Sequence, residues 1–305
     1  MSTSGDPARD RQAREARARR SRVIGELPVT ECRLDVRGGT TPVLEGGSGP
    51  PLVLLHGPTA AGCLAWSAVL PRLAASHRVV VPDLPGLGEA EPLPRVNYAQ
   101  FADWLAALLP LTCGDERPTL VAHSLPAGLA VRFAARRGDF LRRLVLVDVP
   151  AIGHWRPPPA LLLAALRFTG RPSEHSLRQF ERWPFHDPVR VRREGGERLA
   201  AERAYLTARA EVPYVKRTMR QFLRAGTSRL DMEELHGIDM PVGLVWGAED
   251  RMAPVRYARA AQARFGWPLH TIAECGHVPM TERPEAFLSA FAQVTHEPGG
   301  GAVAA

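Results

Sequence analysis

The sequence predicts an α/β fold in which helices cover both faces of a mostly parallel sheet. Three observations carry that expectation. First, several short runs are apolar at consecutive positions rather than at alternate ones, among them "PLVLL" at Pro51–Leu55 and "LVLV" at Leu144–Val147. Strands buried on both faces read this way. Second, helix-like segments separate these runs, and alternation of strand and helix builds parallel sheets. Third, the chain is 305 residues long, 45% hydrophobic and 23% charged, which suffices for one large core.

The elements follow in chain order. Residues 1–22 hold seven arginines against three acids and no apolar period, so a disordered basic tail is expected there. Thr30–Val36 alternates like a strand, Gly38 and Gly39 mark a turn, and Thr41–Gly47 supplies a partner. Pro51–Gly57, His77–Gly86, Pro118–Ser124, Leu141–Pro150 and Met240–Asp250 each contain a buried-type strand. Helices are expected over Leu64–Ser76, Tyr98–Leu109, Gly128–Arg137 and Val255–Phe265. The alternation stops between residues 151 and 230. There Ser173 is placed to cap a helix beginning "EHSLRQFERW", and a long helix is expected from about Glu197 to Leu223. The expected organisation is therefore a core of residues 23–150 and 231–296, a helical insertion at 151–230 and a flexible tail at 297–305.

Composition excludes several classes of function. No run of 18 or more apolar residues exists, so no membrane span is expected. No apolar stretch follows Arg19 and Arg20, so no secretory leader is read. Cys32, Cys63, Cys113 and Cys275 are scattered without a C-x-x-C pair, which fits reduced thiols in a cytoplasmic protein and no metal site. The net charge is +7, and the insertion carries much of it, with sixteen basic residues against seven acids. No nucleic-acid motif accompanies this charge, so no nucleic-acid partner is expected. A solvated surface accounts for it, as does attraction to an anionic substrate or an acidic partner protein. Nothing in the sequence sets an oligomeric state.

In open α/β sheets, chemistry gathers beyond the carboxyl ends of the strands. Ser124, Asp250 and His277 lie at such ends, in that order. With them come five segments: "LLHG" at Leu54–Gly57, "VVVPDLPGLG" at Val79–Gly88, the strand–Ser124–helix turn, "VWGAEDRMAP" at Val245–Pro254 and "AECGHVPMTERPEAF" at Ala273–Phe287. In this set and order the chain resembles the α/β-hydrolase family over about residues 30–296. The resemblance implies an eight-stranded, mostly parallel sheet with a helical cap inserted after strand 6. It also implies roles. Ser124 would be the nucleophile, which needs a base to take its proton. His277 would be that base, since an ordinary imidazole titrates near 6.5, and Asp250 would orient it. Asp148 also ends a strand and is an alternative carboxylate. His123 reads as a packing residue and Cys275 as a small buried one. No metal or organic cofactor is implied.

The chain departs from the family pattern twice. The usual G-x-S-x-G turn is written "AHSLP", with Ala122 and Pro126 in place of the glycines. Proline is tolerated in the first turn of a helix but biases Leu125 away from helical dihedrals. The turn is expected to be distorted yet viable, with the Leu125 N–H as one oxyanion donor. The second departure is Pro58, which follows His-Gly where the family draws its other donor and has no N–H to give. Thr59, through its N–H or its hydroxyl, is the expected substitute. In the cap, Trp155, Trp183 and Phe185 are the expected pocket residues, favouring an apolar substrate. The expected activity is hydrolysis of an ester, lactone or thioester of a small molecule, either free or carried on an acidic carrier protein. A biosynthetic lyase or cyclase using His277 for proton transfer is the main rival, and a binding protein on a retired scaffold is the other.

Overall fold

Eight strands form one sheet in the order β1-β2-β4-β3-β5-β6-β7-β8 in a computed structural model that describes residues 7–59, 61–152, 156–226, 230 and 232–296. The strands are β1 (Thr30–Val36), β2 (Gly39–Gly46), β3 (Pro51–Leu55), β4 (Arg78–Pro82), β5 (Thr119–His123), β6 (Arg143–Val147), β7 (Val242–Gly247) and β8 (Leu269–Ile272). The β1–β2 and β2–β4 pairs are antiparallel and the others parallel. Helix α1 (Pro7–Gly25) precedes the sheet. The core helices are α2 (Leu70–Leu73), α3 (Tyr98–Cys113) and α4 (Leu125–Arg136). Between β6 and β7 come α5 (Pro159–Gly170), α6 (Glu174–Phe180), α7 (Pro188–Arg209), α8 (Pro213–Gly226) and α9 (Met232–His236). Helices α10 (Arg256–Phe265), α11 (Pro279–Glu282) and α12 (Pro284–His296) complete the chain.

The consecutive apolar runs are explained by burial on two sides. Side chains alternate between faces of a strand. Val53, Leu55, Ala122, Leu144 and Leu146 join the α3–α4 side of the core, while Leu52, Leu54, Val121, Val145 and Val147 join the α2–α12 side. All ten are at most 1% exposed, so neither face of the central sheet is left to water. The parallel register aligns strand ends. Leu55 pairs with Ala122, His123 with Val147, and Val147 with Val245. The chain therefore leaves β5 at Ser124 and β6 at Asp148 along one edge, with the loop carrying Asp250 beside them. The insertion after β6 is a helical cap. Ser173 caps α6 as expected, its hydroxyl accepting from Ser176 N–H while the Ser176 hydroxyl accepts from Ser173 N–H. No helix among the described residues is long and apolar enough to cross a membrane.

Four expectations need correction. The basic N-terminal segment is not structureless: Pro7–Gly25 forms α1. Its buried stripe is Ala16, Arg20, Val23 and Ile24. The i, i+4, i+7, i+8 spacing is helical, but an alanine and an arginine hide it. Arg20 is buried because it ion-pairs with Glu31 and, at 3.6 Å, Asp83, and lies over the Tyr205 ring of the cap at 5.7 Å. Second, the helix expected over Leu64–Ser76 is a 3-10 turn at Gly62–Trp66 followed by α2. Pro71 removes a hydrogen bond that a continuous helix would need. Third, the long cap helix is two helices: Pro213 opens α8 after α7 ends at Arg209, and Gly196 kinks α7 with φ +51°. Fourth, α4 begins at Leu125, three residues earlier than expected. The expected tail at 297–305 lies outside the described residues.

Candidate active site

Ser124 sits between the end of β5 and the first residue of α4. Its φ of +62° and ψ of −139° place it where few non-glycine residues go. That dihedral pair turns the chain sharply from strand to helix and leaves the hydroxyl at the sheet edge. The two replacements in "AHSLP" fit the turn. Ala122 is fully buried between β3 and β6. Pro126 lies in the first turn of α4, where its missing N–H would have no partner within the helix. The close approach is made elsewhere: a Cβ on Gly57 would fall 2.8 Å from His123 Nδ1 and 3.4 Å from Ser124 Cβ.

Three expected residues converge here. The Ser124 hydroxyl donates to His277 Nε2 at 2.7 Å, and His277 Nδ1–H donates to Asp250 Oδ2 at 2.7 Å. The carboxylate accepts only, so the Nδ1 proton is fixed and Nε2 is left as a lone pair facing the serine. Asp250 is held in turn, because its Oδ1 accepts from Met252 N–H at 2.7 Å and Ala253 N–H at 2.9 Å. Ser124, Asp250 and His277 are 4%, 5% and 3% exposed, so little water competes for these bonds. A hydroxyl, a lone pair aimed at it and a charge behind the ring constitute a nucleophile–base–orienter relay.

Asp148 is not the orienting acid. Its Oδ1 accepts from Gly247 N–H at 3.0 Å, and burial with the nearby Asp250 charge pushes its carboxyl well above the usual range. Asp148, Asp250 and His277 each bring a ligand-type atom within 4.8 Å of the others, a grouping that could hold a metal among the described residues. Its polar atoms, except Asp148 Oδ2, are already committed to the hydrogen bonds just given. His123 is a packing residue: its Nε2–H donates to the His277 carbonyl at 2.7 Å, and burial, then the His277 ring, push it down to about 3. Burial, then Asp148, raises the Cys275 thiol far above its usual range, which suits an inert residue.

Two buried residues escaped the sequence reading. His56 Nδ1–H donates to Gly57 O at 2.6 Å and its Nε2 accepts from Leu84 N–H at 2.9 Å, which ties the Pro58 loop to the loop after β4. Glu282 accepts from Gly276 N–H at 2.6 Å in the histidine loop, and from His186 N–H at 3.1 Å and Asp187 N–H at 2.8 Å in the cap. The "LLHG" segment pointed to the first. An acid after "GHVPMT" carried no signal, because its partners are backbone groups of a distant loop.

The cap rests on the histidine loop. His277 N–H donates to Pro184 O at 2.6 Å, and a Cβ on Gly276 would lie 2.4 Å from the same oxygen. Trp183 and Phe185 flank Pro184 and are partly exposed. Trp155 lies outside the described residues. Leu125 is the first residue of α4, so its N–H has no carbonyl one turn back to bond. Thr59 N–H is committed to Gly57 O at 2.6 Å. Its Oγ1 accepts from Ala61 N–H at 3.2 Å, and the hydroxyl proton remains to be donated.

A sequence model described as the alpha/beta hydrolase family matches residues 52–290, well over half of the chain. The chain belongs to the alpha/beta hydrolase family. This hydrolase is 29% identical over 261 residues to a pimeloyl-[acyl-carrier protein] methyl ester esterase of Aromatoleum aromaticum, covering 77% of this chain and 94% of that one. It is 25% identical over 260 residues to a 2-hydroxy-6-oxo-6-phenylhexa-2,4-dienoate hydrolase of Comamonas testosteroni, covering 80% and 86%. Among solved structures, a carboxylesterase from Bacillus subtilis superimposes with a TM-score of 0.80 at 19% identity, over 94% of this chain and 99% of that one. That last likeness is one of fold. The hydrolase is an enzyme with Ser124, His277 and Asp250 in a Ser–His–Asp arrangement.

Proposed function

We propose that the protein hydrolyses an ester, lactone or thioester of a largely apolar small molecule through an acyl-enzyme on Ser124. The observation that carries this is the pair of 2.7 Å hydrogen bonds running from Ser124 through His277 to Asp250. Ser124 Oγ attacks the carbonyl carbon as its proton passes to His277 Nε2. Asp250 stabilises the imidazolium. The oxyanion is met by the Leu125 N–H and the Thr59 hydroxyl. The leaving alcohol or thiol takes the proton from Nε2. Water then enters, gives a proton to Nε2 and releases the acid.

Trp183 and Phe185, beside the histidine loop, supply apolar walls. The two relatives are named for a phenylhexadienoate and for a pimeloyl methyl ester on a carrier protein, and both names describe a hydrocarbon body with a carbonyl group. The arginine-rich cap, with Arg217 and Arg220 exposed on α8, supports docking of an acidic carrier. Added salt then raises KM for a carrier-bound ester and not for the free one. The scattered thiols support a cytoplasmic location.

The test is turnover of short and medium-chain chromogenic esters by the wild type and by Ser124→Ala. Loss of all catalysed turnover supports the reading. Pro58 favours a second one, in which His277 transfers protons without a full tetrahedral oxyanion. Under that reading Ser124→Ala stays active on its own substrate and the wild type leaves esters untouched.

A further inference from the structure

Asp148 is unlike the other buried acids near the site. It is fully buried, follows the last residue of β6 and has a φ of +49°, which sets its side chain beside the triad. Oδ1 accepts from Gly247 N–H. Oδ2 is buried and has no hydrogen-bond partner among the described residues. An unpaired buried carboxylate oxygen is costly. The groups facing it are Asp250 from the loop after β7, Cys275 and His277 from the loop before α11, and Glu282 from α11. Among these, only the imidazole can become a cation, and it is already bonded to Asp250.

Two carboxyl groups this close in a dry site do not both ionise. One proton must be placed, and the hydrogen bonds decide where. Asp250 accepts three, from Met252, Ala253 and His277. Asp148 accepts one. The charge therefore belongs on Asp250 and the proton on Asp148. Burial and the Asp250 charge drive the Asp148 carboxyl upward, in the same direction.

We propose that Asp148 is a positioning residue, a neutral carboxylic acid whose Oδ2–H points at the Asp250 carboxylate and braces it against the imidazole. The role rests on the triad reading above. Protonated, Asp148 leaves no bare lone-pair charge in the core, and it shares the Asp250 charge with His277.

The test compares Asp148→Asn with Asp148→Ala. Asparagine keeps an acceptor for Gly247 N–H and offers an N–H in place of the O–H, without changing charge if the acid is neutral. The expected result is a kcat within a few-fold of wild type and an unmoved acid limb in the pH profile of kcat/KM. If Asp148 were instead a second anion supporting the imidazolium, Asp148→Asn would lower that limb by about one pH unit or more, and the proposal would be overturned. Asp148→Ala removes the brace. It is expected to lower kcat about tenfold through misplacement of the ring, with KM little changed, and to move the acid limb upward, because Asp250 then leans wholly on the imidazole. An alanine variant that folds and matches wild type in both respects removes the role. An infrared difference spectrum of wild type against Asp148→Asn needs no substrate. A protonated-carboxyl C=O stretch lost in the variant is expected, and its absence overturns the proposal even if alanine fails to fold. That spectrum separates failure of this assignment from failure of the hydrolase reading.

Discussion

Replacing Thr59 with valine removes one hydroxyl and nearly preserves shape. Its consequence follows from how the Pro58 loop is bonded. Pro58 has no N–H. The Thr59 N–H is held by Gly57 O at 2.6 Å, so turning it toward a substrate would break the turn. The hydroxyl accepts from Ala61 N–H at 3.2 Å and keeps its own proton to donate. If that proton meets the oxyanion beside the Leu125 N–H, its loss lowers kcat by about 10²–10³, or about 2.7–4 kcal/mol. KM should change little, since the bond is strongest in the transition state. A separate effect falls on the fold. Ala61 is buried, and its N–H loses an acceptor at about 1 kcal/mol, or about 2 °C in Tm for a chain of this size. The assay is steady-state hydrolysis of a chromogenic ester with a parallel thermal melt. Thr59→Ser keeps the hydroxyl and should stay within about tenfold of wild type. Pro58→Gly, which restores an N–H, should rescue Thr59→Val in part. A Thr59→Val enzyme with kcat within about threefold of wild type, and no gain from Pro58→Gly, would refute the reasoning.

Further outcomes follow from the same geometry. Asp250→Asn can keep the Met252 and Ala253 N–H bonds through its carbonyl oxygen, but its amide then faces His277 Nδ1 and moves the ring proton to the serine side. Ester kcat should fall about 10⁴-fold without loss of Tm. Glu202 is a partly buried acid, 3.8 Å from the Arg198 guanidinium, whose Oε2 is buried without a hydrogen bond among the described residues, and burial pushes it up to about 7 from 4.5. The folded state then holds a proton that the unfolded chain has lost, so stability falls as pH rises from about 4.5 to 7. Glu202→Gln should raise stability at pH 8 by at most about 3 kcal/mol and leave it unchanged at pH 4, as read by denaturant melts. Arg20→Met strips the buried cation from Glu31 and Asp83 and should cost about 3 kcal/mol of stability. The assay is a urea melt, and an unchanged midpoint would show that α1 is not pinned by that pair.

Most of the sheet was legible because a doubly buried strand writes its burial into every residue. Pro51–Leu55 and Leu144–Val147 needed no tertiary knowledge, and Thr30–Val36, which is buried only at Val36, was legible from its alternation instead. β8 is the contrast: "LHTI" is short, carries two polar side chains and is buried at only one of its four positions, so it leaves almost no periodic trace. α1 was missed because its buried face is built on Ala16 and Arg20, whose burial depends on Glu31, Asp83 and Tyr205, all remote in sequence. At the site, Ser124, His277 and Asp250 were located from strand ends and chain order, and their roles came from the resemblance to the α/β-hydrolase family. What chain order could not give was the commitment of each hydrogen bond. The choice of Asp250 over Asp148 turns on backbone N–H groups at Met252, Ala253 and Gly247. The N–H route for Thr59 closes on a single bond to Gly57. Glu282 works through backbone partners in the cap loop, which no local pattern announces.

The covalent role of Ser124 is tested most directly by treating the protein with a fluorophosphonate and weighing it intact, with peptide mapping of the adduct. The expected result is one adduct per chain, on Ser124, absent from Ser124→Ala and strongly slowed in His277→Gln. An unmodified protein that nonetheless turns over an ester would contradict the account.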